Sequence, residues 1–151
     1  MKRFRFPLRP VMVLRAHQEL RAREAFGASV SELARAEDAR ATTRSRVARF
    51  AATLSAGRQE RFSAAAEAHS LAGYRRECAV EAGTERAMVV ARSTMQQRRA
   101  EYLEAHRRLE AVHRLEAKAR TAHRLEANRT EQAEFDDRAG RQSGFRTRFS
   151  L

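Results

Sequence analysis

The stretch MVVARSTMQQRRAEYLEAHRRLEAV, residues 88–112, decides the fold of this chain. Large apolar side chains recur in it every seven residues, and smaller apolar side chains follow three residues after them. The first series is Met88, Met95, Tyr102 and Leu109; the second is Ala91, Ala105 and Val112, with Arg98 interrupting it. A repeat of this kind predicts an α-helix that buries one narrow stripe, here called the seam, against another helix.

A weaker version of the same pattern lies in the first third of the chain. Leu33, Val47 and Leu54 share one heptad position, and Arg40 interrupts their series. The companion series, three residues later, is Ala36, Thr43 and Phe50. We therefore predict an all-α fold in which two long helices of one chain form an antiparallel coiled-coil hairpin.

The positions of proline and glycine predict a single domain with two helices. Pro10 suits the first turn of a helix, where its missing N–H costs nothing. The segment SAGRQERFSAAAEAHSLAG, residues 55–73, has no clean heptad and holds Gly57 and Gly73, while Gly83 is a second candidate for a turn or a kink. We predict helix one over about 10–56, a turn region over about 57–70, helix two over about 70–139 and a basic tail over 140–151.

Composition supports long helices over a globule. The chain has 151 residues, of which 33% are charged, and it lacks Trp and Ile. Low core content also fits disorder, but strong helix formers with almost no breakers fill residues 11–139. The net charge of +12 comes almost entirely from Arg. It indicates an acidic partner, a nucleic acid or an anionic membrane, unless it reflects only a GC-rich genome.

No residue pattern predicts catalysis, a cofactor or a metal site. His106 and His113 share a helix face, but seven residues separate their rings by about 10 Å along the axis. Cys78 is the single cysteine, so it forms no internal disulfide, and no motif supplies it with a base. The longest apolar runs fall far short of the ~20 residues that cross a bilayer. We expect a non-enzymatic, cytoplasmic protein.

Both ends of the chain are basic, and phenylalanines interleave with the arginines there. The residues are Lys2, Arg3, Phe4, Arg5, Phe6, Arg9 and Arg15 at the start, and Arg138, Arg141, Phe145, Arg146, Arg148 and Phe149 at the end. Such aromatic side chains can stack on bases. Binding of RNA or DNA is therefore an alternative function.

The segment EANRTEQAEFDDRA, residues 126–139, is the most distinctive part of the sequence. On a helix, Asn128, Arg129, Gln132 and Asp136 fall within one arc of about 100°, with Phe135 close to it. A face that mixes amides, both charges and one aromatic ring suits a protein interface. The alternative is a set of ordinary solvated polar residues near the end of a helix.

The pattern N-R-x-E-Q-x-x-F-D-D-x-A in this segment resembles the closing signature of the FliJ family, and the opening FRFPLRPVMVLR is similar to the start of that family. The positions that carry the opening resemblance are Phe4, Phe6, Leu8, Val11, Leu14 and Arg15. Pro7 and Pro10 are less typical of the family. Length, composition and two long helices agree over nearly the whole chain.

The resemblance implies a non-enzymatic component of the flagellar type III protein export apparatus. A hairpin similar to the central stalk of rotary ATPases would insert its joined ends into the export ATPase hexamer and promote its assembly and activity. It would also couple the ATPase to the cytoplasmic domain of the export-gate membrane protein and escort substrate chaperones, at the cytoplasmic face of the inner membrane. The ATPase-binding residues that the resemblance implies are Asn128, Arg129, Gln132, Phe135, Asp136, Leu8 and Leu14. The stalk of a virulence-type secretion system is the near alternative.

Overall fold

The computed structural model describes residues 3–60 and 63–146, and within them the protein is all-helical. Helix α1 spans Arg9–Glu60 and helix α2 spans Ala64–Arg146. The two helices pack against each other as a hairpin. Residues near the end of α1 contact residues near the start of α2, as in the hydrogen bond from Arg58 Nε to Glu67 Oε1 (2.6 Å). The predicted two-helix hairpin is confirmed.

Charged side chains stabilise the end of α1 and the start of α2, beside the connection between them. Arg58 lies in the last turn of α1, and Glu67 lies in the first turn of α2. Each charge opposes the partial charge of its own helix end, so both positions are favourable. Ser63 precedes α2, and its carbonyl accepts the backbone N–H of Glu67 (2.9 Å). The Arg58–Glu67 ion pair therefore ties the two helices together beside the connection.

The helices extend beyond the boundaries that the sequence pattern predicted. Gly57, Gly73 and Gly83 all lie inside helices, and α2 continues past Gly140. A glycine costs a helix only about 1 kcal/mol, which the packing of a long amphipathic helix offsets. At Gly73 an added Cβ would lie 3.3 Å from two ring carbons of Phe50, so this glycine marks a close approach of α1. Residues 61–62 of the predicted turn and 147–151 of the predicted tail lie outside the described residues.

The contacts divide the chain into two units. One unit is Glu19–Glu104, and the other combines Met1–Gln18 with Ala105–Leu151. Across the described residues, no helix is both long enough and apolar enough to cross a membrane.

The seam of the unit Glu19–Glu104 is partly polar. Met88 is only 4% exposed, and Thr43, at 6%, is buried just as deeply. The hydroxyl oxygens of Thr43 and Thr84 lie 2.8 Å apart across the seam. Phe26 and Tyr102 stack with their ring centroids 6.0 Å apart and their planes within 7° of parallel. Hydroxyl and aromatic contacts thus replace much of the aliphatic packing of an ordinary coiled coil.

Ion pairs flank this seam and connect the two helices. Among the described residues, these pairs are Arg58–Glu67, Arg46–Glu77 (2.6 Å), Arg40–Glu85 and Glu37–Arg92 (3.2 Å). In three of them the arginine belongs to α1 and the glutamate to α2. Each partly exposed pair contributes at most about 1 kcal/mol. The fourth pair has the opposite direction, with Glu37 on α1 and Arg92 on α2.

The predicted seam residues differ in burial. Met88 and Val112 are buried, Phe50 is exposed although its ring lies against Gly73, and the others are half-buried. Those others are Leu33, Val47, Leu54, Met95, Tyr102 and Leu109.

The hydroxyl pair gives a first prediction. Thr43→Val should lower the free energy of unfolding by about 1 kcal/mol, because the Thr84 hydroxyl loses its hydrogen bond across the seam and keeps only the bond to the Glu81 carbonyl (2.9 Å). The double variant Thr43→Val with Thr84→Val should recover that loss, because both polar groups are removed together. Urea unfolding followed by circular dichroism measures the free energy of unfolding of both variants, with Thr42→Val, a substitution at an exposed position, as control. Equal losses in the single and double variants would contradict the assigned pairing.

The helical glycines give a second prediction. Gly83→Ala should raise the free energy of unfolding by about 1 kcal/mol, since nothing lies within 4 Å of the added Cβ. Gly73→Ala should gain less or lose stability, because the Phe50 ring must move. The thermal unfolding midpoints of the two variants provide the comparison. A larger gain at residue 73 than at residue 83 would refute the close approach.

Candidate functional site

The segment before α1, residues 3–8, is not helical and contacts α2; we call it the strap. The ring of Phe4 meets the imidazole of His123 edge to face, with centroids 5.4 Å apart. The guanidinium of Arg120 lies 5.7 Å from the same ring centroid and also pairs with Glu116 at 3.0 Å. Edge-to-face and cation–π contacts of this kind stabilise a ring by about 1 kcal/mol each. The strap is therefore attached to α2 by its aromatic residue.

The first turns of α1 combine exposed apolar side chains with positive charge. Leu8 is exposed, and its carbonyl accepts the N–H of Met12 (3.0 Å). Leu14 is 54% exposed. Arg15 donates to the side-chain oxygen of Gln18 (2.9 Å). Residues 3–18 contain arginines and no carboxylate, so this end of α1 is basic and partly apolar.

The C-terminal part of α2 lacks a covering element among the described residues. Along α2, Val112, Glu116, Ala119, His123 and Ala127 are buried or half-buried. From residue 128 to residue 141 every side chain is exposed. We call residues 128–141 the overhang. Its helix stands without the packing that supports the preceding turns.

The structure brings five of the implied ATPase-binding residues together on one face of the overhang. They are Asn128, Arg129, Gln132, Phe135 and Asp136, and all are exposed. Phe135 is 66% exposed. At 100° per residue this face lies on the side of the helix opposite His123, so we call it the outward face. Leu8 and Leu14 belong to the same unit but lie on the strap and α1.

The opposite side of the overhang continues the seam of α2. Ala127, Thr130 and Glu134 follow His123 at helical spacing, and with Glu131 they line a groove of about 680 Å³. The other lining residues are His123, Arg124, Glu126 and Asn128. Residues 126–137 contain five carboxylates and one arginine, in a chain whose net charge is +12. This local change of sign is visible in the sequence and marks the segment as acidic, whereas the heptad pattern alone does not single it out.

Comparison with known families agrees with this architecture. The sequence matches the family described as flagellar FliJ protein over residues 4–148. The chain belongs to the FliJ family. This family comprises non-catalytic components of the flagellar export apparatus, which places the chain in that apparatus. Searches of curated proteins and of solved structures gave no match.

Among the described residues of this FliJ-family chain, two groups have a shifted pKa. The hydrogen bond from Arg114 (2.8 Å) and its positive charge lower the pKa of Glu110. A hydrogen bond with Cys78, together with the electrostatic interaction between the two side chains, raises the pKa of Tyr74. Neither group lies in the overhang. In the described ranges, no cluster of His, Cys, Asp and Glu could hold a metal ion.

The strap gives a third prediction. Phe4→Ala should lower the free energy of unfolding by about 1 kcal/mol and speed amide hydrogen exchange in the first turns of α1. The stability and exchange rate of Phe4→Leu should lie between those of Phe4→Ala and the wild type, because leucine keeps apolar volume but lacks the ring. Hydrogen–deuterium exchange with mass spectrometry measures the effect, with the exposed Arg5→Ala as control. Unchanged exchange in Phe4→Ala would disprove the anchoring role.

Proposed function

We propose that this protein is the stalk of the flagellar export ATPase and that it docks through the overhang and the adjoining start of the chain. The observation that carries the proposal is the outward face of the overhang. It bears the family-like signature, and it is exposed and uncovered among the described residues. The match to the FliJ family favours this function over the virulence-type and nucleic-acid alternatives.

The chemistry of the outward face suits a protein partner. Arg129 can make forked hydrogen bonds, and Asn128 and Gln132 each offer a donor and an acceptor. Phe135 supplies an apolar anchor at the edge of these polar groups. Interfaces draw most of their affinity from such an aromatic or arginine anchor surrounded by polar groups. Arg129 lies 4.0 Å from Glu126, and both side chains are exposed. Breaking this ion pair on docking therefore costs little free energy.

A stalk can promote the ATPase without performing chemistry. If the stalk binds the assembled ring more tightly than its separate subunits, mass action shifts the subunits toward the ring. The ring is the active form in this proposal, so ATP hydrolysis rises with stalk concentration. The proposal also includes coupling to the cytoplasmic domain of the export gate and the escort of substrate chaperones. It places the protein in the cytoplasm, at the inner face of the membrane.

The proposal predicts that Arg129→Ala with Asp136→Ala weakens stimulation of the purified cognate ATPase by about tenfold, through lost docking contacts. Helix content should not change, because both residues are exposed and alanine favours helix. The measurement is ATP hydrolysis as a function of stalk concentration, with circular dichroism for helicity.

The matched control is Arg98→Ala with Glu101→Ala, which removes an exposed ion pair (2.8 Å) from the other unit. The control should stimulate like the wild type. Equal stimulation by the Arg129/Asp136 variant would remove the docking site from the outward face. Failure of the wild-type protein to bind the ATPase at all would defeat the proposed function.

A further inference from the structure

Among the described residues, no other element covers the seam side of the overhang. In the preceding turns, α2 buries or half-buries Val112, Ala119 and His123. Ala127, Thr130 and Glu134 continue that stripe into the overhang, and they line the groove beside it. Ala127 and Thr130 are small, so another helix backbone could approach as closely as packed helices do, about 8–10 Å between axes. The face is therefore continuous with the established α1–α2 interface.

The chemistry of that established interface indicates what the open face would bind. Glu67, Glu77 and Glu85 of α2 each pair with an arginine of α1 across the seam. In the overhang, Glu131 and Glu134 lie with Thr130 along the groove that continues the α2 stripe. The open face therefore offers carboxylates to a partner's arginines, as Glu67, Glu77 and Glu85 do to the arginines of α1 in the other unit.

The carboxylates of the open face are available for such a partner. Glu131 and Glu134 line the groove, both are exposed, and neither forms an ion pair with a described residue. Like charges at i,i+3 on one helix face repel each other. An incoming cation would relieve this repulsion and gain attraction to both carboxylates.

We propose that the seam side of the overhang binds an arginine-bearing helix of the partner protein, which takes the place that α1 takes elsewhere along α2. The inference rests on the proposed function and deepens it, because it identifies the partner surface as a basic helix of the export ATPase. The ATPase then contacts both sides of the overhang, the outward face through Arg129 and Asp136 and the seam side through Glu131 and Glu134.

A second copy of this chain fits the open face less well. Two overhangs meeting through the same side would bring the carboxylates of Glu126, Glu131 and Glu134 near their own copies. Each chain also carries a net charge of +12, which opposes association. Charge complementarity therefore favours a basic helix from a different protein.

The first test reverses the charges of the open face. Glu131→Arg with Glu134→Arg should weaken binding to the purified ATPase about tenfold and remove most of its salt dependence, because attraction becomes repulsion. Arginine favours helix as strongly as glutamate, so the overhang should keep its helicity. Binding at low and high ionic strength is measured by biolayer interferometry. The matched control is Glu24→Arg with Asp38→Arg, which makes the same charge change at exposed positions of the other unit.

The second test identifies the occupant directly. A photo-crosslinking amino acid at Thr130 should capture the ATPase, and mass spectrometry should map the crosslink to a helix that carries arginine. A crosslink to a second copy of this chain, or to a non-helical or acidic segment, would overturn the inference.

The two proposals fail in different ways. If the ATPase binds normally and the Glu131/Glu134 variant keeps wild-type affinity and salt dependence, the inference is wrong and the proposed function stands. If the wild-type protein does not bind the ATPase, both are wrong.

Discussion

A narrow, partly polar seam between two helices is the constraint on which the structure depends. Within the described residues, Met88 and Val112 are the only apolar side chains that are buried. A hairpin has no third layer to enclose its side chains, so half-burial is the best that most seam positions reach. Hydrophobic stabilisation scales with the apolar area removed from water, so it is spread thinly along both helices. Directional contacts must then supply the specificity that a larger core would supply by shape.

Those directional contacts also define how the two helices of the unit Glu19–Glu104 pair. The Thr43–Thr84 hydroxyl pair and the flanking arginine–glutamate pairs favour one register, since sliding α1 along α2 would separate them. In the other unit, the described residues 3–18 accompany residues 105–146 of α2. Within that part of α2, every side chain from residue 128 to residue 141 is exposed.

The sequence predicted the parts of the fold that depend on local periodicity. The heptads from Met88 to Val112 indicated the α2 stripe because they repeat without glycine or proline. The connection was harder to predict, because Gly57, Gly73 and Gly83 resemble turn signals although all three lie inside helices. The shared face of Asn128, Gln132 and Asp136 follows from helix geometry alone. Its exposure, and the anchoring of Phe4 by His123, depend on where α1 begins relative to α2, which no local pattern encodes.

The hairpin topology also orders the events of folding. Arg58 and Glu67 are nine residues apart in the chain, Thr43 and Thr84 are 41 apart, and Glu37 and Arg92 are 55 apart. Each doubling of such a loop raises its closure cost by about 0.6 kcal/mol. Contacts beside the connection therefore form first, and the helices then pair at positions progressively farther from it. The strap closes the longest loop, so by the same rule it pairs with α2 last.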